Sequence, residues 1–122
     1  MSATPPVIDP AALANLRALG TDGGDDFLQE IIAIFTADTP ERIAELEAAL
    51  TRGEADRYVR AAHSIKGSAS NVGALQLQQA AARLEAQARV RGPAGTETLL
   101  AAVKAEYARA SAALDAIVAR TA

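Results

Sequence analysis

Apolar residues return every third or fourth position along most of the chain, the spacing of helices that each bury one face. The strict alternation of a half-buried strand is missing. In the first stretch Leu13, Leu16 and Leu19 form a short stripe that opens at Asp9-Pro10 and closes near Gly20. Aspartate accepts from the orphan amides of a helix start, and proline fits the first helical position. A turn at Thr21-Asp22-Gly23-Gly24 follows, with Asp25 and Asp26 set to meet the positive end of the next helix. That helix is long, and Phe27, Leu28, Ile31, Ile32, Phe35, Ile43, Leu46 and Leu50 share its face. Pro40 removes the amide that would bond to Thr36, at about 3 kcal/mol in a helix interior. The stripe nevertheless resumes in phase, so the pattern predicts one kinked helix that stops at Arg52-Gly53.

A third helix is predicted over about 54–71, with Gly73 closing it and Tyr58, Ala62, Ile65, Ala69 and Val72 facing inward. A fourth starts at Ala74, carries Leu77, Ala81, Leu84 and Ala88, and ends before Gly92-Pro93. The last, over about 95–120, is built on Leu99, Val103, Tyr107, Leu114 and Ile117. Short loops between four substantial helices make neighbours antiparallel. The expected fold is all-α: an up-down-up-down four-helix bundle with a short extra N-terminal helix. Residues 1–8 read as a flexible tail and 9–122 as one domain, a length that supports a single core.

Composition agrees and narrows the chemistry. Half the residues are apolar but only 3% are aromatic, and the apolar share is mostly Ala and Leu, both strong helix formers. The net charge is −3, with basic residues scattered and few aromatic residues among them, which argues against nucleic acid and anionic membranes as partners. Cysteine is absent, which excludes disulfides, thiol catalysis and thiolate metal sites. The N-terminus lacks the charged and apolar regions of a signal peptide, and no apolar run reaches the ~18 residues that span a bilayer. The expected setting is the cytoplasm, and the even amphipathicity suggests a monomer.

One titratable side chain stands apart. His63 is the only histidine, in the run Ala61-Ala62-His63-Ser64-Ile65-Lys66-Gly67-Ser68-Ala69-Ser70-Asn71-Val72-Gly73-Ala74. At about 100° per residue it falls roughly 140° from the centre of the third helix's apolar stripe, on the water side. Its helical neighbours are Val59 and Arg60 behind and Lys66 and Gly67 ahead. Glycine inside a helix costs about 1 kcal/mol relative to Ala, so Gly67 asks for a reason, and close approach by another protein supplies one. Gly67, Ser68 and Ser70 make this the barest predicted surface. An imidazole is nucleophilic near neutral pH, and a phosphoryl group on it would bring roughly −1.5 to −2 charges for Lys66 to offset.

Other chemistries fit less well. Lys66-Gly67-Ser68 has the wrong order for a phosphate-binding loop and sits inside a helix. Ser64 points away from both His63 and Lys66 along the helix, and no sharp turn exposes it, against a hydrolase. With one histidine and no carboxylate beside it on the exposed arc of its helix, no metal site is expected. A helical adaptor with an apolar groove stays open.

The run His63-Ser64-Ile65-Lys66-Gly67-Ser68-Ala69-Ser70-Asn71-Val72-Gly73-Ala74 resembles the signature of histidine-containing phosphotransfer (HPt) domains at every defined position. The likeness extends over about residues 9–120, through Ile8-Asp9-Pro10, Phe35…Pro40-Glu41-Arg42 and Leu84-Glu85. The resemblance implies a phosphocarrier in two-component signalling, not a kinase. His63 would take a phosphoryl group from the aspartate of one receiver domain and pass it to another, Lys66 would steady its charge, and Gly67 would admit the receiver. Ser68 would support the site, and Glu85 occupies the place from which family members hydrogen-bond the histidine. Arg60, Ser70 and Arg89 are expected to meet the receiver's rim. No cofactor is implied, since Mg²⁺ belongs to the receiver; the expected partners are response-regulator receiver domains and a sensor hybrid kinase. The alternative within signalling is the phosphotransfer domain of a chemotaxis-type kinase, usually fused to further domains, which ranks lower for a chain ending at Ala122.

Overall fold

The computed structural model describes residues 7–20 and 25–121. The expected turn over 21–24 and most of the tail expected over 1–8 lie outside the described residues. The tail's last two residues do not behave as a loose end: Ile8 is buried in the core and Val7 packs against it.

Five helices follow in order: α1 (Pro10–Leu19), α2 (Asp26–Arg52), α3 (Ala55–Asn71), α4 (Leu75–Arg91) and α5 (Glu97–Thr121). α3 packs between α2 and α4, α4 packs on α5, and α5 closes back onto α2. The connections at 53–54, 72–74 and 92–96 are too short for anything but antiparallel neighbours. The bundle is therefore four-helical, with α1 laid against α2 at one end. No helix among the described residues is long and apolar enough to cross a membrane.

The core follows the sequence stripes closely. Tyr58, Ala62, Ile65 and Ala69 of α3 are each fully buried, as are Leu46 of α2, Leu84 of α4 and Leu114 of α5. Leu19 departs from its stripe and is 68% exposed. The contacts that seat α1, from Asp9 and Ala12 to Gly73, lie at the other end of that helix. α5 starts two residues later than its stripe suggests, because Thr96 is drawn into a buried polar knot. The Tyr58 hydroxyl donates to Thr96 Oγ1 at 2.6 Å, and Thr96 donates to the Pro93 carbonyl at 2.6 Å.

α2 runs unbroken through Pro40. Proline offers no amide to the Thr36 carbonyl, and the Tyr107 hydroxyl of α5 donates to it instead, at 3.3 Å. Tyr107 is held there by Phe35, with ring centroids 5.6 Å apart. A defect local to α2 is thus repaired by a residue 71 positions away, as expected of a half-buried carbonyl that needs a donor.

Gly73 fixes the α3–α4 turn and the seat of α1 together. It has φ +72°, a region that favours glycine. Its carbonyl accepts from the Asp9 amide at 2.8 Å, and a Cβ there would stand 2.6 Å from that of Ala12. This turn sets the angle between α3 and α4, the two helices that carry the site.

Candidate functional site

His63 emerges on the outer face of α3 with its side chain 62% exposed. It lines an open groove of about 740 Å³ between α3 and α4, with Val59, Arg60 and Ser64 on its own wall and Ala88 and Arg89 opposite. The ring is exposed, as its place on the helical wheel of α3 predicts.

Beneath it is Glu85 of α4, whose side chain is only 6% exposed. Oε2 of Glu85 lies 2.9 Å from His63 Nδ1. The same oxygen accepts from Arg89, at 2.6 Å from Nη2 and 3.2 Å from Nε, while Oε1 is 2.7 Å from Lys66 Nζ. Burial alone pushes the Glu85 carboxyl upward, but hydrogen bonds from Lys66, Arg89 and His63 outweigh it and hold the group at about 2. Glu85 is therefore ionised near neutral pH, and a carboxylate can only accept. Nδ1 must then carry a proton, and in the neutral form of the ring that leaves the Nε2 lone pair facing the groove.

The helices place these groups for identifiable reasons. Lys66 follows His63 by three residues, so both point from one side of α3. Glu85 and Arg89 are one turn apart on α4, the spacing of an intrahelical ion pair. Ala81 and Ala88 flank Glu85 with short side chains, which lets α3 approach closely enough for Lys66 and His63 to reach it. A carboxylate this buried is tolerable only because each oxygen has a charged donor.

The other four predicted residues are each placed differently. Gly67 is exposed, and no atom outside its own stretch of helix lies within 4 Å of where a Cβ would stand. Internal packing thus gives no reason for the glycine. Arg60 is exposed, makes no ion pair among the described residues, and borders both the His63 groove and a smaller hollow with Arg42 and Arg57. Ser68 is not part of the cluster. It faces α2, half-buried, in a hollow with Ile31, Ile34, Phe35 and Val72. Ser70 is exposed, and its backbone carbonyl accepts from the Gly73 amide at the end of α3.

Two features escape the sequence reading. Arg89, expected at a partner's rim, is committed to Glu85; its i,i+4 spacing from Glu85 was the available signal. Ile34 is 56% exposed beside Ser68, and it was legible as an apolar residue off the α2 stripe. Among the described residues no group of three or more His, Asp and Glu side chains is arranged to hold a metal ion.

The family model of the Hpt domain matches residues 30–113. The structure is similar to that of histidine-containing phosphotransfer protein B (HptB) from Pseudomonas aeruginosa PAO1. The two share 30% identity over 96% of this chain and 98% of that one, with a TM-score of 0.85. It also resembles the histidine-containing phosphotransfer protein ZmHP2 from maize at a TM-score of 0.74, over 92% of this chain and 87% of that one. At 24% identity that likeness speaks for the fold alone. A search of curated proteins finds no match.

Proposed function

The chain belongs to the Hpt domain family of histidine phosphotransfer proteins in phosphorelay signalling, and we propose that it carries the phosphoryl group on Nε2 of His63, between aspartates of receiver domains. The observation that carries this reading is the pinned ring: Nδ1 held by a buried carboxylate and Nε2 open to the groove. The Nε2 lone pair attacks the phosphorus of an aspartyl phosphate, the P–O bond breaks, and the aspartate leaves as a carboxylate. The ring then carries phosphorus on Nε2 and a proton on Nδ1, hence a positive charge that Glu85 steadies. The reverse step needs a good leaving group, and the same Nδ1 proton provides it. Glu85 thus serves both directions of a reversible transfer.

In this reading Lys66 offsets the charge of the phosphoryl group from the same side of α3, and Gly67 leaves room for the receiver. Arg60, exposed at the lip of the groove, meets the acidic rim that surrounds a receiver's aspartate, with Ser68 and Ser70 on the flank of the contact. Mg²⁺ and the general catalytic groups are the receiver's. The chain works as a monomeric carrier in the cytoplasm, without kinase activity, with response-regulator receiver domains and a sensor hybrid kinase as its partners.

Incubation with a phosphorylated receiver tests this directly. The expected product is an acid-labile, base-stable phosphate on the chain, absent from a His63→Gln variant that keeps its helical circular dichroism. A phosphate that persists in that variant refutes the assignment.

A further inference from the structure

Glu85 has more partners than a histidine clamp needs. One cation would suffice to compensate its charge, yet Lys66 takes Oε1 at 2.7 Å while Arg89 takes Oε2 with both Nη2 and Nε. The oxygen that Arg89 holds is the one that accepts from His63 Nδ1 at 2.9 Å. Lys66 and Arg89 therefore differ in what they fix. Lys66 sits on the oxygen that His63 does not use, so it can leave without disturbing the ring. Arg89 sits on the oxygen that orients the ring, and from the same helix as Glu85.

We propose that Arg89 is a positioning residue for phosphoryl transfer: it keeps Glu85 compensated and in place, so that Lys66 is released to the phosphoryl group while the ring stays oriented. The proposal rests on the reading of His63 as the phosphoryl carrier. If Lys66 were the sole cation on Glu85, drawing it to the phosphoryl group would leave the buried carboxylate with the Nδ1–H of the phosphorylated ring as its one charged partner and one oxygen without a donor, an arrangement costly for a buried charge. With Arg89 in place, the move of Lys66 exchanges one charge-assisted bond for another. The geometry also removes Arg89 from the free cations of the groove and leaves the docking role to Arg60, which has no ion pair among the described residues.

The experiment uses phosphoramidate, a small phosphodonor that needs no receiver surface. The Nε2–P bond forms as the P–N bond of the N-protonated donor breaks, and ammonia leaves with that bond's electron pair. Appearance of phosphohistidine is followed by ³¹P NMR in the full chain and in Arg89→Gln, Arg89→Lys, Glu85→Gln and the Glu85→Gln/Arg89→Gln double variant. Arg89→Gln is expected to slow phosphorylation roughly tenfold, the size of one charge-assisted hydrogen bond, with Arg89→Lys recovering part of the loss. In the Glu85→Gln background the further effect of Arg89→Gln should shrink to within about twofold, because coupled residues do not act independently. An equal loss in both backgrounds overturns the proposal in favour of direct contact between Arg89 and the phosphoryl group. A loss seen only with a receiver as donor overturns it in favour of docking.

A second readout stands apart from phosphotransfer. His63 is the only histidine, so its ring ¹⁵N resonances report its tautomer without assignment work. Arg89→Gln should shift the ring from the Nδ1–H form toward the Nε2–H form, and an unchanged tautomer overturns the positioning role. A wild-type chain that accepts no phosphoryl group at His63 refutes the carrier reading, while the tautomer experiment still decides on Arg89.

Discussion

Replacing Glu85 by Gln should flatten the acid limb of the protein's stability. Glu85 has an ordinary carboxyl value of 4.5 and is held at about 2 in the folded chain. Burial alone would raise it; the hydrogen bonds from Lys66, Arg89 and His63 more than reverse that effect. Because the folded value is depressed, the stabilisation is fully present above pH 4.5 and is lost as pH falls toward 2. Between those values the unfolded chain binds a proton that the folded chain refuses, so stability must drop with pH. At 1.36 kcal/mol per pH unit the interval is worth about 3 kcal/mol. Glu85 is 6% exposed, but Lys66 and Arg89 are 33% and 58% exposed, and water screens their share; about 2 kcal/mol is the figure to expect. Urea unfolding of the wild type and of Glu85→Gln at half-unit steps from pH 6 to pH 2 measures it. Contributions common to both proteins cancel in the difference. The wild type should lose about 2 kcal/mol relative to the variant over that range. A difference that stays constant from pH 5 to pH 2.5 would mean that Glu85 is not held ionised by its neighbours, and the tautomer argument for His63 would fall with it.

Two further substitutions separate function from folding. Gly67→Gln should raise stability by about 0.5 kcal/mol, because glutamine is the better helix former and the site is open. The same change should weaken receiver docking, measured as a loss of phosphotransfer at limiting receiver; undiminished transfer would remove the glycine from the interface. Gly73→Ala should do the opposite. Its φ of +72° and the 2.6 Å approach to Ala12 combine backbone strain with overpacking, for a cost of about 3 kcal/mol, or roughly 10 °C in a thermal melt. A melt unchanged to within a few degrees would show that α1 is not seated as described.

The parts of the fold legible in the sequence are those governed by a single helix. The wheel of α3 put Tyr58, Ala62, Ile65 and Ala69 inside and His63 outside, and they are there. The start of α1 was legible because Asp9 accepts from Ala11 two residues along, a local bond with a local signature. Illegible were the features that need two helices at once. The repair of the Pro40 gap depends on Tyr107, which nothing near Thr36 announces. Leu19 is exposed because the docking of α1 is decided by Gly73, far along the chain. Arg89 illustrates the middle case. Its spacing from Glu85 was visible, but its value as a partner depends on Glu85 being buried, and that depends on how closely α3 lies.

The two cations follow from the chemistry of a carboxylate beneath a phosphorylated ring. A carboxylate under His63 is useful, since it sets the tautomer and steadies the proton on Nδ1. It is also a negative charge beside an incoming dianion. A neutral amide in its place would avoid the repulsion but could not stabilise the charged ring to the same degree. With Lys66 and Arg89 both paired to Glu85, the cluster carries one net positive charge while the ring is neutral. Arrival of the phosphoryl group adds roughly −1.5 to −2 charges, and the Nδ1 proton leaves the ring itself positive. The sum then lies near zero, so neither the loaded nor the empty state is driven far from the other by charge. A carrier that must both accept and donate needs that balance, and Glu85 can provide its half of it only with two cations attached.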